Sequence, residues 1–388
     1  MSGKRFHDIL RFLRFDDAVS RRQKRSLDKL QPIRECFEMW NSTLKYAFSP
    51  GWCVTVDEQL VNFKGRCPFR QYIPSKPGKY GIKLWILCDV ETSYIWNTEV
   101  YTGKAKNGPR ETRQGERVVA SLVTELEKSG RNITCDNFFT SLDLARNLLK
   151  KKLTIVGTIR KNKGELPVEF TNSKKRTPYT TLFGFKKEAM ILSYCPKKGK
   201  VVTLLSTMHS QPDIDNSTKE LKPEVIRCYN STKFGVDTMD QMVRCYGIKR
   251  KARRWPLVLF YNMIDISAMN AFIIYHTLKP TFFNSKTRRR RQFLIALGKQ
   301  LTGIDSEDTG AIVSNRSPNH APAKRARLSK EPAAVTPDTL KKNRCHICPR
   351  QEDRKSKTVC VGCQKFVCRE HFHVLCHNCH HWFLQFIL

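Results

Sequence analysis

Three short segments each carry an aspartate where a carboxylate invites a question: VTVDEQL holds Asp57, ITCDNFF holds Asp136 and GVDTMDQM holds Asp237. The first lies inside a strand-like run, the second ends one, and the third opens a helical stretch. They are far apart in the chain, so no short motif joins them. If the first strand lies beside the strand ending at Asp136, and the helix opened by Asp237 packs across both, the three carboxylates converge. Convergent hard oxygen donors in a basic protein suit Mg²⁺ and phosphoryl transfer, in which two ions clamp the attacking and leaving oxygens. Each acid also has a plainer reading. Asp57 can pair with a lysine across strands, Asp136 can cap the helix that follows it, and Asp237 can cap its own helix. Residue types and spacing leave both readings open.

A second constellation lies at the C-terminal end, where seven of the 15 cysteines fall in the pattern C-x2-C-x11-C-x2-C-x4-C-x2-H-x4-C-x2-C. Four close pairs of soft or imidazole ligands are what two tetrahedral Zn²⁺ ions require, because each pair on a tight turn fills two corners. An interleaved arrangement gives one zinc Cys345, Cys348, Cys368 and His371, and the other Cys360, Cys363, Cys376 and Cys379. It is favoured because crossed ligation ties a segment poor in apolar residues into one unit; sequential pairing is also within reach of the chain. His373, His377, His380 and His381 are spare. A disulfide knot is disfavoured, since MSGKRFHDIL lacks the apolar core of a secretion signal and a reducing compartment is expected.

The bulk numbers set the frame for both constellations. With 388 residues, 70 Lys+Arg against 35 Asp+Glu and a net charge of +35, the chain is large enough for two or three cores. So basic a chain attracts a polyanion, nucleic acid above all. The first fifty residues show helical spacing (Phe6, Ile9, Leu10, Leu13, then CFEMWNSTLKYAF). After Pro50-Gly51 come three strand-like runs, WCVTVDEQLVNF, YGIKLWILCDV and SYIWNTEVYTG, followed by a helix over 116–129, the strand NITCD, a helix through SLDLARNLLKK and the strand LTIVGTI. Such alternation predicts a mixed α/β sheet. Residues from 160 to about 224 read as an inserted, mostly β element. WPLVLFYNMIDISAMNAFIIYHTL is long enough to span a bilayer, yet Asn262, Asp265 and Asn270 mark it as a buried helix, and no membrane is expected as a partner. The Ser/Pro/Ala/Lys-rich stretch over 304–342 is too poor in apolar residues to fold and reads as a linker. Its KRAR run, within PAKRARLSK, predicts a nuclear protein.

Four blocks closely resemble the piggyBac transposases: VTVDEQLVNFKGRCPFRQYIPSKPGKYGIKLW, RNITCDNFFTSLDLARNLLKKKLTIVGTIRKNK, YNSTKFGVDTMDQM and RRWPLVLFYNMIDISAMNAFIIY. The Cys/His tail resembles their C-terminal cysteine-rich domain. The resemblance implies an α/β, RNase H-like catalytic core (53–161 and 224–246) interrupted by an insertion domain (162–223). Around it stands a helical dimerisation and DNA-binding domain in two parts (1–52 and 247–303), with the linker (304–342) and a zinc cross-brace domain (343–380) following. It implies that Asp57, Asp136 and Asp237 are catalytic and hold two Mg²⁺ ions, and that Asp240 matches a nearby acid of the family motif. Arg160 and Lys163 match basic residues used near target DNA. Trp255, behind the basic run Lys249, Arg250, Lys251, Arg253 and Arg254, matches a tryptophan of a DNA-facing region. The chemistry implied is transesterification on double-stranded DNA: terminal repeats are cut, hairpins form and open, and ends join a TTAA target, by a homodimer. Relative to the family, the chain begins at MSGKRF, within what reads as the first helical domain, and ends in HHWFLQFIL, which matches no family segment. The first departure bears on assembly and leaves open a rival, a DNA-binding protein without transposition. A more distant rival is a zinc-module interaction protein.

Overall fold

The computed structural model describes residues 1–17, 19, 21, 28–103, 111–174, 176–282 and 288–303, together with 343–345, 348, 351, 355, 356, 366 and 368 of the tail. The chain divides into two compact units, Met1–Gly310 and Ala311–Leu388.

In the first unit the strands are β1 (Cys53–Asn62), β2 (Gln71–Tyr72), β3 (Tyr80–Asp89), β4 (Ile95–Val100), β5 (Asn132–Cys135), β6 (Thr154–Thr158), β7 (Thr181–Lys186), β8 (Ala189–Lys197) and β9 (Lys200–Ser206). They form one sheet in the order β2-β3-β1-β5-β6-β9-β8-β7, with β4 also on β3. β3 is buried along nearly its whole length, which is why YGIKLWILCD reads as continuous apolar sequence rather than alternation. β1, β5 and β6 are mutually parallel. Parallel neighbours need crossovers, and two helices supply them: α3 (Gln114–Leu122) before β5 and α4 (Leu142–Lys150) between β5 and β6.

Two local expectations change. The helix expected over 116–129 stops at Leu122 and gives way to a 3-10 turn, Thr124–Leu126. Lys128 and Gly130 then take left-handed φ values of 65° and 74°, turning the chain while Val123 and Leu126 stay in the core. The segment beyond Arg160 is mostly β as expected, with one short helix, α5 (Val168–Thr171). It does not stand apart from the sheet: β9 pairs antiparallel with β6, Val156 opposite Ser206, so β7 to β9 prolong it. Met190, Leu192, Tyr194 and Leu204 from these strands form a second core with Val156, Val225 and Ile226.

Among the described residues the unit also holds the helices α1 (Gly3–Phe12), α2 (Arg34–Ala47), α6 (Glu224–Thr232), α7 (Gly235–Cys245), α8 (Trp255–Leu278) and α9 (Arg289–Thr302). By length and apolarity α8 could cross a membrane. Its polar residues, however, are satisfied by protein, as burial demands. Asn270 accepts from Ile95 N at 3.1 Å and donates to Ile95 O at 2.8 Å, capping β4 like an extra rung. Asp265 accepts from Ile248 N at 2.8 Å, and Asn262 donates to Gln59 Oε1 at 2.9 Å. α8 is thus a core helix. α2 buries Phe37 and Leu44 and joins Asn41 to Asn97 and Thr98 of β4, while Trp40 donates to Ser267 of α8 at 2.8 Å. In the second unit β10 (Asn343–Arg344) pairs antiparallel with β11 (Lys355–Ser356).

Candidate active site

The parallel register of β1 and β5 ends at Val56 opposite Cys135, so Asp57 and Asp136 come next to each other where the strands part. Asp136 then heads a tight turn: its Oδ1 accepts from Phe138 N at 2.8 Å and its carbonyl accepts from the Thr140 hydroxyl at 2.8 Å. Gly157 of β6 makes room for that turn, since a Cβ there would fall 2.2 Å from Thr140 Oγ1. The cap of α4 is Ser141, whose hydroxyl accepts from Leu144 N at 3.1 Å, so the capping role weighed for Asp136 falls elsewhere.

Asp237 arrives from the other side, in the first turn of α7. Gly235 sets the approach: a Cβ there would lie 2.5 Å from Thr55 Cγ2 and 3.1 Å from Cys88 Sγ, so only glycine lets this helix start against β1 and β3. The N-cap position of α7 is Phe234, and no side chain caps it. Asp57, Asp136 and Asp237 line one cavity of about 230 Å³, shared with Thr134, Tyr229 and Lys233.

The electrostatics suit a cation. Burial, then the charge of Glu58, then that of Asp136 push the Asp57 carboxyl up to about 7, against a hydrogen bond from Glu58 N and the charge of Lys76. Asp136 is raised as well, first by burial and then by Glu58, against hydrogen bonds from Phe138 and Phe139. Asp57 has no ion pair among the described residues; the cross-strand lysine expected beside it serves Glu58 instead, with Lys83 at 3.6 Å and Lys76 at 3.8 Å. A crowded, partly buried carboxylate pair that forms no direct ion pair among the described residues, joined by a third acid, is a donor set that fits a divalent metal.

Residues 1–272 match the family model described as Transposase IS4. Human PiggyBac transposable element-derived protein 3 is 25% identical over 319 residues, 74% of this chain and 51% of that protein. Human PiggyBac transposable element-derived protein 2 is 22% identical over 291 residues, 70% of this chain and 48% of that protein. A cryo-EM structure of a piggyBac transposase synaptic complex with hairpin DNA is 39% identical, covers 97% of this chain and 80% of that one, and superposes with a TM-score of 0.72. The chain belongs to the piggyBac transposase family. It spans about half the length of the human relatives it matches. The matched model is that of a DDE transposase, a class of enzyme whose chemistry uses divalent metal.

Other residues singled out by resemblance to the piggyBac family sit less uniformly. Asp240 is not in the cavity lining; it accepts from Gln59 Nε2 at 3.0 Å and pairs with Arg244 at 3.5 Å. Arg160 is exposed beside the Asp136 turn, donating to Asn137 at 3.3 Å with its guanidinium over Phe138, and Lys163 follows on the same loop. The basic run divides. Arg250 (over the Phe6 ring), Lys251 and Arg253 are exposed, whereas Lys249 donates to the carbonyl of Asn62 and Arg254 to those of Leu13 and Leu10, closing the end of α1. Trp255 is 9% exposed and packs edge-on against Phe69 at 4.9 Å, so it works here as a core residue. A second cavity of about 300 Å³ opens beside it and is strongly basic, with Arg14, Arg21, Lys29, Arg66, Arg253 and Arg254 in its wall and Asp16 paired to Arg21.

In the tail, the ligand atoms of Cys345, Cys348 and Cys368 all lie within 4.8 Å of one another, and the three residues are buried. Three thiols so placed suit zinc. They belong to the first of the two expected sets; His371 and the second set, Cys360, Cys363, Cys376 and Cys379, lie outside the described residues, as does the KRAR run.

Sequence reading passed over Glu58, Lys83, Tyr229 and Lys233. Glu58 had a signal, standing next to Asp57 in a strand; the others had none strong enough to separate them from ordinary surface residues.

Proposed function

We propose that this chain carries out metal-dependent DNA strand cleavage and transfer, cutting at transposon terminal repeats and joining the ends at TTAA. The observation that carries this reading is the meeting of Asp57, Asp136 and Asp237, from three remote segments, around one cavity, with no ion pair on Asp57 among the described residues. On this reading β3-β1-β5-β6 with α3 and α4 is an RNase H-like core, residues 162–223 are its insertion, and the flanking helices with their basic cavity bind DNA and dimerise. The three carboxylates hold Mg²⁺. Bound there, the ions supply Lewis acidity for the attacking and leaving oxygens of the phosphodiester. The chain's own part is to fix the carboxylates: the β1–β5 register sets Asp57 against Asp136, and Gly235 brings Asp237 onto them. The exposed Arg160, Arg250, Lys251 and Arg253, with the half-buried Lys163, offer cations to the DNA backbone. The Cys/His tail binds two Zn²⁺ ions and the protein works in the nucleus.

The decisive experiment incubates the chain with end-labelled terminal-repeat duplex and Mg²⁺. Nicks followed by hairpins support the reading. A second reading, DNA binding without transposition, is favoured by one observation: the human relatives are transposable element-derived proteins. Retention of the duplex on a gel with no nick under any Mg²⁺ or Mn²⁺ concentration selects that second reading.

A further inference from the structure

We infer that Lys233 is a substrate-binding residue of the carboxylate cavity, its ammonium contacting the phosphate on which the carboxylates act. The inference deepens the functional reading above and rests on it.

Lys233 is held from both sides by the strands that carry the acids. The residue before it, Thr232 at the end of α6, accepts a hydrogen bond at 2.8 Å from the hydroxyl of Thr134, two residues before Asp136 on β5. Two residues after it, Gly235 is pressed against Thr55, two residues before Asp57 on β1. Its own amide donates to Tyr229 O at 3.0 Å. The base of the side chain is therefore as fixed as the carboxylates themselves.

The other end of the side chain is placed with equal purpose. It lines the same cavity as Asp57, Asp136 and Asp237, yet it forms no ion pair among the described residues. Its ammonium lies instead over two rings, 4.7 Å from the centre of Phe234 and 5.6 Å from that of Tyr229. A lysine serving only to neutralise carboxylates pairs with one directly, as Lys151 does with Glu127 at 2.7 Å. An ammonium parked on an aromatic shelf keeps its charge and its donors available. The cavity thus has an acidic side fit for divalent cations and a cationic side fit for a phosphate oxygen, and Phe234, 52% exposed, leaves the way in open. A DNA phosphate has both charges to satisfy at once.

The test is a cycle between the side chain and one phosphate. Hairpin-ended TTAA duplexes are made with a neutral methylphosphonate at each phosphate of the tip in turn. Their binding to the wild-type chain, Lys233→Gln and Lys233→Arg is followed by fluorescence anisotropy in Ca²⁺ over a salt series. On the all-phosphate duplex Lys233→Gln should lose at least about threefold in affinity, with the salt slope smaller by about 0.9. At one methylphosphonate position the wild type and Lys233→Gln should bind alike, and Lys233→Arg should keep most of the wild-type affinity. An equal loss at every position, no loss at all, or no binding of the duplex by the wild type overturns the inference. Terbium luminescence at the carboxylates gives a readout without DNA: unchanged half-saturation in Lys233→Gln is expected, and tighter binding would mean that the lysine is a counter-ion for the acids, which also overturns it. Asp136→Asn, assayed for cleavage alongside, separates the two levels. If it cuts as well as the wild type the functional reading fails, while the binding cycle still decides Lys233.

Discussion

Burial and the charges of Glu58 and Asp136 all resist ionisation of Asp57, and that conflict has consequences in both protonation states. A carboxyl raised to about 7 in the folded chain binds its proton more tightly than in the unfolded chain. Its contribution to stability is therefore complete below the unfolded value near pH 4 and is lost as pH climbs toward 7, at up to about 1.4 kcal/mol per pH unit. The metal-free protein should accordingly melt at lower temperature at pH 7 than at pH 5. Asp57→Asn should flatten that slope and melt higher than the wild type at pH 7 without metal; a melting curve unaffected by the substitution at both pH values would refute the account. Divalent metal should raise the wild-type melting temperature at pH 7 and leave Asp57→Asn nearly unmoved. Asp136→Asn separates chemistry from folding in the same way. Asn keeps the size and the acceptor oxygen that takes Phe138 N, so the turn survives, whereas the charge that holds a divalent ion goes. Hairpin formation should fall by roughly two orders of magnitude or more, with duplex binding close to normal.

At the scale of elements, the site depends on how closely α7 approaches β1. Gly235→Val would place side-chain atoms where Thr55 and Cys88 already are, forcing the helix outward at a cost of about 1–3 kcal/mol. Denaturant midpoints should drop accordingly, and cleavage should fall further than the stability loss explains, because Asp237 moves with the helix. Gln59 works on the same joint, donating to Asp240 of α7 and accepting from Asn262 of α8 while 2% exposed. Gln59→Leu leaves Asn262 Nδ2 without its acceptor and Asp240 with Arg244 alone, and should cost about 1–3 kcal/mol. Much of this framework was legible in the sequence, because β-branched runs around Asp57 and ahead of Asp136 carry strand signals, and the Cys pairs carry ligand spacing. The register that sets Asp57 beside Asp136 was only conditional, since parallel pairing is a non-local choice with no local signature. The continuation of the sheet through β9 was missed for a related reason: β6 and β9 join by backbone hydrogen bonds, which leave no mark on residue type. Lys233, a lone cation after a helix end, looked like any residue complementing a helix dipole. Trp255 is a mixed case: resemblance points to DNA, and its ring packs against Phe69 at the wall of the basic cavity.

At the scale of the whole molecule, two units meet different stability problems. The first has its own cores, one around β1, β3 and α8 and another beneath β8 and β9. Residues 343–380 have few apolar residues besides cysteine, and among those described Cys345, Cys348 and Cys368 are the buried side chains. Structural zinc contributes roughly 10–16 kcal/mol of apparent binding free energy in small modules, so the tail's fold should be a property of its metal. The purified chain should carry two zinc ions by elemental analysis. Removing them with a strong chelator should expose residues 343–380 to protease while the fragment over 34–303 stays resistant and its thermal transition unmoved. Cys368→Ser separates the sites: with the interleaved ligand set it should remove one zinc and weaken the other, because the two sets share one stretch of chain. Sequential pairing would instead place Cys368 with His371, Cys376 and Cys379, so that Cys345→Ser and Cys368→Ser would empty different sites. With interleaving they empty the same one, and cobalt substitution reads this directly, since the charge-transfer band of the site with three thiolates and one imidazole should vanish in both variants while that of the four-thiolate site persists. A zinc-free preparation whose tail resists protease would sink the metal assignment for this unit.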